Sequence, residues 1–291
     1  MSYNNISELF NMAEERDVPL SQIILETESA LTECSYDDIY KEMERRYEVM
    51  KSSAKNALFE ARKTAGGLIE GITKTHYDYT VKGDTLSGDF INKVMARALS
   101  CSEVNASMGK ICAVPTAGSC GIIPAVIISL EEALNLSKKD VLDGLLCASG
   151  IGAVITRNAT VSGAEGGCQA ECGVAAAMAA AAAVQMKGGT RSQCVEAVSI
   201  ALMNVMGLVC DPVAGLVQVP CAQRNASQAV NAIISADMAL AGMKSIIPVD
   251  QIIEAMYKVG KMLPMELKET AKGGIAHTPA GKAIFREIFG K

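Results

Sequence analysis

The run "VAAAMAAAAAVQM" (Val174 to Met186) carries no charge and has nothing larger than methionine or glutamine. Alanine is the strongest helix former. A helix apolar on every side, with no polar stripe for water, is buried on all sides. The run is too short to cross a bilayer, which takes roughly 20 apolar residues. A second uncharged stretch, Ile111 to Leu130, approaches that length. Pro115, Gly118, Gly121 and Pro124 interrupt it, so its first half reads as a loop. An integral membrane protein is therefore set aside, and the fold must wrap other helices around a helix of small side chains.

The remaining composition agrees. The chain has 291 residues, 49% of them hydrophobic, with no tryptophan. Its apolar mass is Ala, Ile, Leu, Val and Met, which suits close helix packing. A net charge of −5 argues against a nucleic-acid surface, which needs clustered Lys and Arg. The opening "MSYNNISELFNMAEERD" has no basic region followed by an apolar core, so no secretory signal is read and a cytoplasmic location is expected. Ten cysteines in a reducing compartment point to metal binding, catalysis or burial rather than to disulfides.

Helix signals recur along the chain. Ile39, Met43, Tyr47 and Met50 fall at helical spacing, with charges between them. Ser35 with Asp38, Ser137 with Asp140 and Thr190 with Gln193 have the capping-box spacing. Gly207 is a stop signal for the helix that follows Thr190. "NASQAVNAIISADMALAGM" reads as one helix, Asp250 as the cap of "QIIEAMYKVG", and Pro264 as the start of another segment. "LVQVP" is the best short strand candidate. The expectation is an all-α fold in one domain, 1–291. Residues 1–64 form an amphipathic outer layer and residues 65–291 a core with glycine-rich loops.

Three small-residue loops each precede a helix: "NASMGKICAVPTAGSCGIIPA" from Asn105, "ITRNATVSGAEGGCQAECG" from Ile155 and "CDPVAGLVQVPCAQRNA" from Cys210. Such a loop presents free N–H groups and a partial positive charge, which suits a carboxylate or phosphate. A plain capped loop has the same appearance. Cysteines lie in or beside all three loops. Iron–sulfur clusters want thiolates on turns, yet no compact C-x-x-C run is present. Spacing alone leaves buried thiols as the simpler reading.

"PTAGSCGIIPA", "SGAEGGCQAE" and "CDPVAGLVQVPC" followed by "RNA" resemble the most characteristic stretches of the alpha chain of the iron–sulfur-dependent L-serine dehydratases. The likeness runs over about residues 65–290. It implies conversion of L-serine to pyruvate and ammonia, with a [4Fe–4S] cluster held by Cys168, Cys210 and Cys221 and one iron open to substrate. It places the substrate loop at Thr116, Ala117, Gly118 and Ser119. Lys110, Asn105, Asn158, Arg224 and Asn225 lie in the matched motifs as further substrate-binding candidates, with structural capping of loop backbone as the competing role. It also implies a beta chain as partner, because the family's Ser-Ser-His-Thr segment, which carries a candidate base, is absent here. Single-chain members end in a cysteine that reaches the open iron; this sequence ends "IFREIFGK".

Some residues depart from the family pattern. Cys172, one helical turn after Cys168, is read as a buried thiol, because a fourth ligand would close the open iron. Cys120 is read as a space-filler, and Cys34, Cys101, Cys112, Cys147 and Cys194 likewise. Neither His76 nor His277 is assigned as the base. The rival readings are a cluster enzyme acting on threonine or cysteine, a pyridoxal phosphate lyase (two Lys-Gly-Gly matches), a non-catalytic thiolate metal or redox protein, and a helical scaffold with idle thiols.

Overall fold

The computed structural model describes residues 3–290; residues 1, 2 and 291 lie outside it. Thirteen α-helices follow in order. They are α1 (Ile6–Glu15), α2 (Leu20–Thr32), α3 (Tyr36–Asn56), α4 (Ile72–Thr80), α5 (Gly88–Ala106), α6 (Ile122–Leu134) and α7 (Lys138–Asn158). Then come the short α8 (Gly163–Gly166), α9 (Val174–Met186), α10 (Arg191–Met203), α11 (Cys221–Leu240), α12 (Val249–Met262) and α13 (Pro279–Phe289). No strand forms among the described residues, so the fold is all-α; "LVQVP" is irregular chain after a single 3-10 turn, Val213–Gly215. The only extended pairing described is an isolated bridge between Cys210 and Lys268. The alternation in "LVQVP" misleads because its last residue is a proline without an N–H, and its neighbours turn back on themselves through Val213 N–H to Val219 O. Among the described residues, no helix is long and apolar enough to cross a membrane.

The alanine run becomes α9, and every residue in it except Gln185 is buried. It packs against α6, α7, α10 and α11. The α7 contact is close because α7 offers glycines where α9 offers its methionines. A Cβ on Gly144 would strike Met186, and one on Gly152 would strike Met178. Gly150, also on α7, receives Ile24 of α2 in the same way. Each methionine fills a notch, which is how bulky and small residues interdigitate at native density. Ile6 and Leu9 of α1, with Leu20 and Ile23 of α2, join the same apolar cluster as α9. Fully burying such a side chain stabilises by about 1.5–3 kcal/mol.

Local signals set most of the helix ends. Ser137 and Thr190 form complete capping boxes with Asp140 and Gln193, whereas Ser35 accepts from the Asp38 N–H without the reciprocal backbone bond. α10 ends at Met203, and Gly207 lies beyond it with φ 88° in the turn that follows. Asp250 does not cap α12, which starts one residue earlier behind Pro248. Its carboxylate instead accepts from the N–H of Ile6 at 2.9 Å and of Ser7 at 3.1 Å, so it caps α1 from across the fold. Glu103 on α5 is fully buried and anchors the α3–α4 connection. It accepts from the N–H groups of Arg62 (2.8 Å), Gly71 (3.0 Å) and Thr73 (3.1 Å).

Candidate active site

The three loops meet beside the start of α9. Cys168 stands at the entry to a π-turn, Gln169–Gly173, that runs directly into α9. Gly167 before it has φ 77°, a left-handed conformation that favours glycine, and a Cβ there would press on Leu208 O. Gln169, fully buried, fixes the turn on both sides. It accepts from Gly207 N–H at 2.8 Å and donates to Gly166 O at 2.9 Å and Met256 O at 3.1 Å. Gly207, read from sequence as a helix stop, thus serves to present an amide to Gln169.

Cys210 and Cys221 bracket the third loop, and Cys221 is the first residue of α11. Cys210 N–H donates to Leu267 O at 2.9 Å, and its carbonyl accepts from Glu269 N–H at 2.8 Å. Asp211, almost fully buried, accepts from Arg224 Nη2 at 2.8 Å and from Ile275 N–H at 2.8 Å. Arg224 also donates to Val209 O at 2.7 Å. The segment after α12 therefore forms one wall of this loop.

The first loop joins the other two through side chains. Asn225 donates to Gly118 O at 2.7 Å and to Cys221 O at 2.8 Å, and accepts from Gly121 N–H at 2.8 Å. Thr116 Oγ1 donates to Glu171 Oε1 at 2.5 Å and lies 3.1 Å from Ser119 Oγ. Asn105 donates to Ala117 O at 3.2 Å. Among the described hydrogen bonds, the N–H groups of Thr116, Ala117, Gly118 and Ser119 donate to no protein acceptor. Four successive amides without acceptors lie just ahead of α6, where an anion would find donors.

All ten cysteines are free thiols. Cys168, Cys210 and Cys221 lie close enough to act on one another electrostatically. Burial, then the neighbouring Cys168 and Glu171, push the Cys210 thiol well up. The same causes raise Cys221 to about 12. Cys168 goes the other way: a hydrogen bond from Cys172 and the charge of Arg224 hold it below the ordinary thiol value. No group of three His, Cys, Asp or Glu among the described residues converges on a single ion. The ligands of a four-iron cluster sit at separate corners and need no such common point, so three neighbouring unbridged thiols fit such a cluster.

Other expectations scatter. Cys172 and Cys120 are buried, as are Cys101, Cys147 and Cys194; Cys112 is half-buried, and Cys34 is exposed, so it fills no space. Asn158 donates to Asn4 O at 2.7 Å, which ties α7 to the N-terminal segment rather than to the loops. Lys110 is exposed. His277 is exposed, and His76 lies on α4 against the Asn92 backbone, where burial lowers its pKa.

Sequence reasoning missed Glu171. Burial, with the charge of Glu269, raises its pKa, although the Thr116 hydrogen bond opposes this. The place where a Gly163 Cβ would stand is 3.1 Å from Glu171 Oε2, 3.1 Å from Cys210 Sγ and 3.5 Å from Glu269 Oε2. The sequence carries a signal for it. Gly163 lies in the motif that also holds Glu171, and a Cβ on it or on Gly118 of the first loop would crowd that carboxylate.

Fold and site together define an all-helical chain whose glycine-rich loops bring thiols, carboxylates and an amide-lined turn into one place. The chain belongs to the serine dehydratase alpha chain family, whose model matches residues 15–276. The match begins well before residue 65, so the likeness takes in much of the N-terminal helices as well as the motifs. The chain is 47% identical to "L-serine dehydratase, alpha chain" of Peptoniphilus asaccharolyticus over 285 residues, 98% of each chain. It is 44% identical to "Probable L-serine dehydratase, alpha chain" of Bacillus subtilis over 288 residues, covering 99% of this chain and 96% of that one. It is 35% identical over 280 residues to "L-serine dehydratase TdcG" of Escherichia coli, where it spans 61% of the relative.

Proposed function

We propose that this chain is the alpha subunit of a cytoplasmic, iron–sulfur-dependent L-serine dehydratase, a lyase that forms pyruvate and ammonia and works with a beta chain. The observation that carries the reading is the joining of the amide-lined turn 116–119 to the thiols of Cys168, Cys210 and Cys221. In this reading those three thiolates hold a [4Fe–4S] cluster. Its likeness to named alpha chains over nearly its whole length supports the activity. Its 61% span of the longer Escherichia coli relative leaves room for a second chain.

Serine must lose an α-proton that is barely acidic and a hydroxide that is a poor leaving group. The cluster, when bound, supplies a Lewis-acidic iron that stabilises the departing hydroxide. This chain's residues do the rest of the positioning. The amides of Thr116–Ser119 receive the substrate carboxylate, and Asn105 and Asn225 hold the shape of that turn by bonding its carbonyls. Arg224 and Asp211 fix the 210–221 loop, and Arg224 also lowers the Cys168 pKa, which favours the thiolate a ligand must be. The helix start at Cys221 acts in the same sense. Buried α6 and α9 exclude water. Loss of the α-proton and hydroxide gives 2-aminoacrylate, which tautomerises to an imine; one water then releases pyruvate and ammonia.

The test is iron and acid-labile sulfide per chain after anaerobic purification, for wild type and Cys168→Ala. About four of each in wild type, with a marked loss in the variant, is the expected result. Pyruvate should form from L-serine once the beta chain is added. Absence of iron and sulfide from wild type, even after reconstitution, would sink the cluster assignment.

A further inference from the structure

The geometry points to Glu171 as the group that receives the α-ammonium of the substrate, and so as the residue that makes this site select an amino acid over a plain hydroxy acid. The inference rests on the dehydratase reading for the identity of the substrate, and it adds a contact that the sequence motifs do not specify.

Four observations carry it. Glu171 joins the substrate loop directly, with Thr116 Oγ1 donating to Oε1 at 2.5 Å. Its other oxygen is aimed toward the thiol side, because one point at Gly163 lies 3.1 Å from both Oε2 and Cys210 Sγ. Gly118, in the turn of acceptorless amides, has no side chain, and a Cβ there would collide with the Glu171 carboxylate, so turn and carboxylate are adjacent. Finally, Glu171 is largely buried and forms no ion pair with any Lys or Arg among the described residues; Arg224 is occupied by Asp211.

A buried carboxylate without a cation is costly. An amino-acid substrate brings a cation with it. In serine, the ammonium and the carboxylate are attached to the same carbon. A substrate whose carboxylate meets the amides of residues 116–119 therefore presents its ammonium within a few ångströms of that turn. Glu171 is the carboxylate that borders the turn. Glu269, the other carboxylate nearby, is exposed and adds negative potential without being held against the turn. The energetic result is a site that pairs its own unfavourable charge only when the right ligand arrives, which is how discrimination against an isostere lacking the charged group arises.

The experiment compares L-alanine with propionate, which differ only in the ammonium; neither has a hydroxyl to lose. Binding is measured by calorimetry on the anaerobically purified chain with its beta chain, alongside iron and sulfide content and the KM for L-serine. The expected result is at least tenfold tighter binding of L-alanine than of propionate by wild type. Glu171→Gln, which keeps an acceptor for Thr116, should weaken L-alanine about tenfold, raise the KM for L-serine, and leave propionate binding and iron content unchanged. Equal affinity of wild type for the two ligands would overturn the assignment without recourse to a variant. Equal weakening of both ligands in Glu171→Gln would also overturn it. The comparison needs neither iron nor turnover, so a wild-type chain without iron would defeat the cluster assignment and leave this one standing on its own result.

Discussion

A single carboxylate without an ion-pair partner among the described residues carries an electrostatic cost at this site. Burial raises the pKa of Glu171, so the folded chain binds its proton more tightly than the unfolded chain does. Stability conferred by this residue therefore falls as pH rises between its unfolded and folded values. The penalty is complete above the folded value and absent below the unfolded one. In the metal-free chain, Glu171→Gln is expected to raise the melting temperature at pH 7 and to lose that advantage near pH 4, as read by thermal unfolding at both pH values. Equal melting temperatures at pH 7 would show that the carboxylate is well compensated. Gly163 is the complementary position: its missing side chain is what lets Cys210 Sγ and Glu171 Oε2 face one point.

At the scale of elements, α9 and α5 make different demands. α9 is surrounded, and added volume there has nowhere to go. Ala180→Leu, at a fully buried position, should destabilise by about 1–3 kcal/mol in a denaturant titration. On α5, Glu103→Ala would strip three N–H groups, that of Thr73 buried, of their acceptor and should cost about 3 kcal/mol or more by the same measurement. Such elements differ in how far they can be read in advance. α9 is plain in the sequence because composition alone fixes its environment. The caps at Ser137 and Thr190 are plain because capping is local, within three residues. Asp250 looks like the cap of its own helix, yet it caps α1, because a carboxylate serves any nearby helix start and sequence does not say which is near. The thiols of the 210–221 loop are visible as a motif. Gln169 and Glu171 lie in such a motif too, but their roles, like that of the segment around Leu267, are hidden because they rest on contacts between loops far apart in the chain.

For the whole molecule, the site depends on a long-range closure. Leu267, Glu269 and Ile275 fasten to Cys210 and Asp211, although α12 and its neighbours complete the helical stack without them. A chain stopped after Met262 should keep most of its far-ultraviolet circular dichroism. It should fail to retain iron and sulfide after reconstitution under conditions that load the full chain. Full loading of the shortened chain would show that this wall is dispensable.

That wall also fixes when the site can exist during synthesis. The ribosome releases the chain from its N-terminus at about 5–20 residues per second. The turn at 116–119, the cysteine at 168 and the 210–221 loop all emerge before their last fastening does. Until Ile275 clears the exit tunnel, Asp211 has only Arg224 to hold it, and the nascent thiols stand on a loop open along one side. Asp211 thus gains its second fastening only after both cysteines of its loop have long since emerged.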